Sequence, residues 1–168
     1  MDQLLLRAKY GADFSALSWL AERAACERAC FAAPVLTIIP IPLGPQRLVR
    51  RGYNQTAEIA RALARAPAWH RDRLDLHALI RIRDTAVQQS LSWTERRANV
   101  RGAFAATRSL VGEHVLLVDD VLTTGATLNE CARAVRRAGA VAVDGLVLAR
   151  VDPPARRHRI QRFGRTVA

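Results

Sequence analysis

Asp119 and Asp120 stand side by side in the stretch "HVLLVDDVLTTGATLNECARAVRRAGA", His114 to Ala140, after a run of apolar residues and before Val121 and Leu122. Adjacent carboxylates repel each other and resist burial, so packing alone gives no reason to place them at the end of an apolar strand. Their chemistry is that of hard oxygen donors, suited to hydroxyl groups or to a cation such as Mg²⁺. Thr123, Thr124, Gly125, Ala126 and Thr127 follow. Small residues let an anion approach the backbone, Gly125 permits dihedral angles that other residues avoid, and threonine hydroxyls can donate to phosphate oxygens. A helix starting there adds unpaired N–H groups and a partial positive charge. A phosphorylated sugar bound with Mg²⁺ meets both demands at once.

Other phosphate sites lack parts here. A Walker A loop requires Gly-Lys-Ser/Thr, and Lys9 is the chain's only lysine. A receiver domain would carry its acidic pair near the first strand with a lysine downstream. No GxGxxG fingerprint occurs.

These residues need a frame, and the hydrophobic pattern supplies one. Asp13 can cap a helix to about Phe31, whose apolar residues recur near helical spacing. "PVLTIIPIP" (Pro34–Pro42) reads as a buried strand stopped by prolines. The arginine-rich "LGPQRLVRRGYNQ" reads as a loop, after which Asn54 or Gln55 opens a helix to about Ala66. "HALIRIR" is a second strand, "DTAVQQSL" a loop, and Ser92 with Glu95 forms a capping box for a short helix, Trp93 to about Asn99. "GAFAA" and His114–Val118 are further strands. A helix from about Gly125 to Ala138 is stopped by Gly139, and "AVAVDGLVLAR" is the last strand. Strands alternating with helices predict an α/β fold, an open and mainly parallel sheet with helices on both faces, and ligands bind at the carboxyl ends of such strands. One domain is expected over residues 1–150, followed by a basic tail, 151–168.

Composition bounds the partners. The chain has 168 residues, half of them hydrophobic and 5% aromatic, with no apolar run long enough to span a membrane. Three cysteines, Cys26, Cys30 and Cys131, are too few and too odd in number for a disulfide scaffold and point to a reducing compartment, the cytoplasm. The 26 Lys+Arg against 15 Asp+Glu leave a formal charge of +11, which attracts nucleic acid or a phosphorylated small molecule, or simply reflects an arginine-rich proteome. Few aromatics are available to stack on bases, which weakens a reading as a single-strand binder.

"VLLVDDVLTTGAT" resembles the phosphoribosyl-pyrophosphate (PRPP) motif of type I phosphoribosyltransferases at every position of its pattern. "IPIPLGPQRLVRRGYNQTAEIARALA" and "RIRDTAVQQSLSWTERRANVRGAF" resemble the ComF/GntX family, linked to competence for DNA uptake, and the likeness runs from about Leu5 to Arg150. The resemblance implies a type I phosphoribosyltransferase-like (Rossmann-like) fold. It implies that Asp119 and Asp120 bind the ribose hydroxyls of PRPP, directly or through Mg²⁺, and that Thr123, Thr124, Gly125, Ala126 and Thr127 hold the 5′-phosphate. Arg47, Arg50, Arg51 and Gly52 would face the pyrophosphate, whose charge suits guanidinium forks. Arg83 and Gln88 are the candidates from a mobile loop that closes over the site.

Two departures qualify the likeness. Members of that family commonly begin with a zinc-binding segment of paired CxxC motifs, which this chain lacks, and Cys26 and Cys30 read instead as buried helix residues. Enzymes acting on hypoxanthine and guanine carry an aspartate where this chain has Thr123, so a general base toward the purine is missing and 6-oxopurines are disfavoured. The expected activity is transfer of phosphoribose from PRPP to an unidentified nitrogen acceptor with Mg²⁺. The alternative is a PRPP- or nucleotide-binding regulatory module of DNA uptake without turnover, and contacts to nucleic acid or competence proteins fit either.

Overall fold

The computed structural model describes residues 19, 21, 23, 37–66, 73–83 and 98–151. Its elements run β1 (Thr37–Pro40), α1 (Pro45–Arg51), α2 (Gln55–Arg65), β2 (Leu79–Arg81), β3 (Phe104–Ala106), β4 (His114–Leu122), α3 (Ala126–Arg137) and β5 (Ala142–Arg150). Among the described residues β1, β4 and β5 form a parallel sheet in that order, with Thr37 opposite Val115 and His114 opposite Ala142. Of the expected helix Asp13–Phe31, residues 19, 21 and 23 are described and helical. Of the expected helix Trp93–Asn99, residues 98 and 99 are described and helical. Gln88, Cys26, Cys30 and the tail beyond Val151 lie outside the described residues.

Alternation along β4 decides where the helices sit. Leu116 and Val118 join Ile38 and Leu146 under α2, packed against Ile59, Ala60, Leu63 and Ala21. Val115 and Leu117 face the other way, toward Leu128, Cys131, Ala134 and Val135 of α3. Successive strand side chains point to opposite faces, so the apolar run Val115–Val118 must be covered twice. Helices on both faces of a parallel sheet follow, as expected. Ile59 and Leu63 are fully buried and each stabilises the sheet–helix contact by about 2 kcal/mol.

Three elements depart from expectation. The arginine-rich stretch forms α1, because Pro45 sits in its first turn with φ preset and Gly52 ends it in the left-handed region (φ 76), its N–H on the Leu48 carbonyl at 2.8 Å. Strand β4 runs on through both aspartates to Leu122, paired with β5 as far as Arg150. β2 and β3 make a separate antiparallel pair, Leu79 opposite Ala106 and Arg81 opposite Phe104, packed over α3 on the second core.

A charged network closes the amino-terminal end of this sheet. Arg108 Nε donates to Asp75 at 2.8 Å, its Nη1 bonds Glu113, and Glu113 also accepts from the Thr37 hydroxyl. Burial alone would raise the Asp75 carboxyl, but Arg108 and the His77 and Ala78 amides overcome it and hold it below the usual carboxylate range. Arg108 does the same for Glu113, against burial. Both depressed groups stabilise the fold fully above the unfolded carboxylate range, about 4, and lose that contribution as pH falls through their folded values. Arg108→Ala is therefore expected to cost about 1 kcal/mol at pH 7, a modest figure because Arg108 is 41% exposed. Urea titrations should show the gap between variant and wild type closing near pH 3. A gap equal at both pH values would mean the network contributes only packing.

Candidate active site

The corner between β4 and α3 brings the predicted residues together. Asp119 and Asp120 are half-buried at the carboxyl end of β4. Asp119 Oδ1 accepts the Asp120 N–H at 2.9 Å and Asp120 Oδ1 accepts the Val121 N–H at 2.7 Å, so the main chain itself orients both carboxylates. Alternation assigns Asp119 to the α3 side, with Val115 and Leu117, and Asp120 to the α2 side, with Leu116 and Val118. Cys131 on α3 reports the same placement. Burial pushes its thiol well up, and the Asp119 charge adds to the rise. That thiol stays protonated and serves as core.

Gly125 precedes α3 with φ 71, left-handed, where other residues are strained. No side chain caps Gly125's helix start and no acid lies in its first turn, although the Thr124 hydroxyl accepts the Ala126 N–H at 3.2 Å. The amino terminus of α2 is treated differently. Asn54 Oδ1 accepts the Thr56 N–H at 3.2 Å, and Glu58 lies in the first turn. The α2 start is thus met by a side-chain cap and an acid, and the α3 start by the Thr124 hydroxyl with no acid in its first turn. Ala126 is buried, Thr124, Gly125 and Thr127 are half-buried, and Thr123 is exposed.

β1 delivers the second set of residues beside the first. The Ile41 N–H donates to the Val118 carbonyl at 2.9 Å, one residue before Asp119. The Ile41 carbonyl in turn accepts from the Thr56 hydroxyl (2.6 Å) and the Asn54 amide (3.1 Å), folding the start of α2 back onto the strand end. Between these anchors α1 carries Arg47 and Arg51, half-buried, and Arg50, exposed. Gly52 ends α1, and a side chain there would meet nothing within 4 Å, so its role in the fold is its backbone angle. Asn54, one of the two residues expected to open this helix, caps it, and Thr56 is a further positioning residue not singled out in the sequence.

The β2–β3 pair supplies the third set. The exposed Arg83 donates through Nη2 to the carbonyls of Arg101 (2.7 Å) and Asn99 (3.3 Å), clasping the chain on either side of residues 84–97. The buried Glu130 ties the same turn to α3, accepting the Gly102 N–H at 2.9 Å. Arg81, two residues before Arg83, lies half-buried with its guanidinium 5.4 Å from the Phe104 ring centre. Its signal in the sequence is its parity with the buried Leu79.

The donor set fits Mg²⁺ in one particular way. Asp119 and Asp120 are hard oxygen ligands, and no cluster of three or more His, Cys, Asp or Glu able to hold a metal exists among the described residues. An ion held here would need oxygens from a ligand, the usual mode of Mg²⁺ with one or two carboxylates and a substrate phosphate.

Comparison with known proteins identifies the family and the fold. The phosphoribosyl transferase domain family matches residues 30–163. "DNA utilization protein YhgH" of Escherichia coli O6:H1 is 40% identical over 113 residues, covering 67% of this chain and 48% of that protein. "Competence protein F" of Haemophilus influenzae is 39% identical over 117 residues, 67% of this chain and 49% of that one. "Competence protein ComFC" of Bacillus subtilis is 34% identical over 105 residues, 62% and 40%. This chain thus spans about half the length of these relatives. The solved glutamine PRPP amidotransferase of B. subtilis, complexed with ADP and GMP, superposes with a TM-score of 0.53 at 23% identity, over 80% of this chain and 26% of that one, which shows the fold. Among the described residues no helix is long and apolar enough to cross a membrane. The chain belongs to the phosphoribosyl transferase domain family, and the relatives it matches are ComF-type proteins.

Proposed function

We propose that this protein binds PRPP at the β4–α3 corner with Mg²⁺ and transfers its phosphoribosyl group to a nitrogen acceptor, releasing pyrophosphate, in the service of DNA uptake. The observation that carries this is the uncapped start of α3 behind Gly125, one turn from two carboxylates that their own backbone holds in place. In this reading the 5′-phosphate rests on Thr123–Thr127, and Asp119 and Asp120 hold the ribose hydroxyls. Arg47, Arg50, Arg51 and Gly52 face the pyrophosphate, and Arg83 and Gln88 are the contributors from the segment between β2 and β3. When bound, Mg²⁺ would neutralise charge on the departing pyrophosphate.

The chain's own part is positioning and electrostatics. The bond from ribose C1 to pyrophosphate oxygen breaks, a bond from C1 to the acceptor nitrogen forms, and that nitrogen's proton leaves to solvent or to pyrophosphate. Holding C1 between leaving and entering groups supplies most of the acceleration. Thr123 cannot abstract a proton at neutral pH, so the acceptor is one that needs no base from this loop. The sparse cysteines accord with work in the cytoplasm.

A second reading follows from the relatives' names, which speak of DNA utilisation and competence and not of a reaction. It makes the chain a PRPP-gated component of DNA uptake that binds without turnover. A pyrophosphate-release screen with PRPP, Mg²⁺ and a panel of bases and amines, beside calorimetry, separates the two. Release with at least one acceptor supports the enzyme, PRPP binding without release supports the gated module, and no PRPP binding overturns both.

A further inference from the structure

Gly145 stands inside β5, where a glycine weakens a strand and often marks a close approach by another element. No turn requires it. Its φ is not positive, and it pairs in regular register with Leu117 of β4. Val143 and Val147, which share its parity, pack on the α3 side of the sheet. The close approach comes from that side. A Cβ built on Gly145 would meet Leu128 Cδ2 at 2.8 Å, with Cδ1 at 3.5 Å and Cγ at 3.6 Å. All three outer carbons of the leucine crowd the spot, so turning the isobutyl group about its last bond only brings the other methyl toward it. The side chain has no free room to swing into either. Leu128 is 7% exposed and belongs to the core it shares with Val115, Leu117 and Val135.

Leu128 is the third residue of α3. The first main-chain turn of this helix is closed by the Asn129 N–H on the Gly125 carbonyl at 2.9 Å. The Leu128 N–H comes ahead of that bond, among the groups that point out of the helix start. One residue thus rests its side chain on β5 and lends its amide to the cradle. How closely Leu128 sits on β5 sets how far the start of α3 stands off the sheet. β4, paired with β5 from His114 to Leu122, carries the two carboxylates on that same sheet. The spacing between helix start and acids therefore depends on a contact made on another strand, outside the consecutive motif.

We infer that Gly145 is a positioning residue of the phosphate cradle: carrying no side chain, it lets Leu128 seat directly on β5, and that seat holds the first-turn N–H groups of α3 where a phosphate ester meets them together with the carboxylates of β4. The inference rests on the corner reading proposed above and adds to it a residue that does not touch the ligand. The competing role, core packing alone, would cost stability and leave affinity untouched.

Calorimetry with ribose 5-phosphate and Mg²⁺, run below the melting point of each variant, separates the two roles. Gly145→Ala pushes Leu128 off its seat and should weaken ribose 5-phosphate about fivefold or more, with a lower Tm from overpacking. In a Leu128→Ala background the obstacle is gone. The same Gly145→Ala change should there leave affinity unchanged, or tighten it by refilling the seat. This loss of effect marks action through Leu128, and the comparison within the Leu128→Ala background carries the test alone if Gly145→Ala does not fold: weaker binding there overturns the role. A Gly145→Ala protein that melts earlier yet binds within twofold of wild type, or that loses affinity equally in both backgrounds, also overturns it and leaves the corner reading standing. A wild-type chain that binds no ribose 5-phosphate overturns both.

Discussion

Replacing Asp119 and Asp120 together with Asn is expected to lower Mg²⁺-dependent PRPP affinity by a hundredfold or more and to leave the fold intact. The magnitude follows from what is removed. Hydrogen bonds to charged groups contribute about 1.5–3 kcal/mol each, so losing one from each carboxylate costs about two to four powers of ten. The fold survives because Asn keeps the Oδ1 acceptor that each aspartate offers to the main chain, Asp119 to the Asp120 N–H and Asp120 to the Val121 N–H. Two adjacent like charges disappear as well, so the melting temperature should hold or rise. That combination separates a functional pair from a structural one, since a structural carboxylate gives up stability when neutralised. Calorimetry with and without Mg²⁺ is the measurement. Unchanged affinity in the double variant would remove the corner from consideration. The single variants should differ, since alternation places Asp119 against α3 and Asp120 against α2.

This corner is readable in the sequence because every part of it is consecutive. From Val115 to Thr127 the chain runs strand, acids, small residues and helix without an interruption, and local order alone puts them in one place. Features that depend on distant partners are not readable in that way. α1 escapes notice because it buries no residue, so no apolar period marks it, and its arginines look like a solvated loop until Pro45 and Gly52 are seen at its ends. β4 looks shorter than it is because Asp119 and Asp120 end its apolar run, while its ladder to β5 continues through Arg150 on backbone bonds that side-chain polarity does not reveal. The "LIRIR" stretch alternates as a strand should, yet nothing local says that its partner is antiparallel, or that Phe104 waits beneath Arg81.

Gly125→Val tests the other half of the corner, the cradle for the 5′-phosphate, and here the structure changes the reason for the expected effect. A side chain at this position would meet the Asn129 amide and the Leu122 methyl at 3.6 Å, ordinary van der Waals contact, so the protein itself leaves room for a first carbon. The objection comes from the backbone. Gly125 sits at φ 71, where a β-branched residue pays for crowding between its side chain and the following carbonyl, about 1–2 kcal/mol. Either the loop keeps its shape under that strain, with the valine methyls standing where an anion would approach the start of α3, or it relaxes and swings the first turn's N–H groups off target. Both routes end the binding of a 5′-phosphate. Affinity for ribose 5-phosphate should drop by about a hundredfold, the scale of losing two charge-assisted hydrogen bonds, and the melting point by about 3–8 °C. Gly125→Ala pays the same backbone cost in smaller measure and intrudes less, so it should retain more affinity at a nearly equal loss of stability. Valine and alanine variants that lose stability yet bind ribose 5-phosphate as wild type does would show that the glycine serves only the turn, and that the phosphate rests elsewhere.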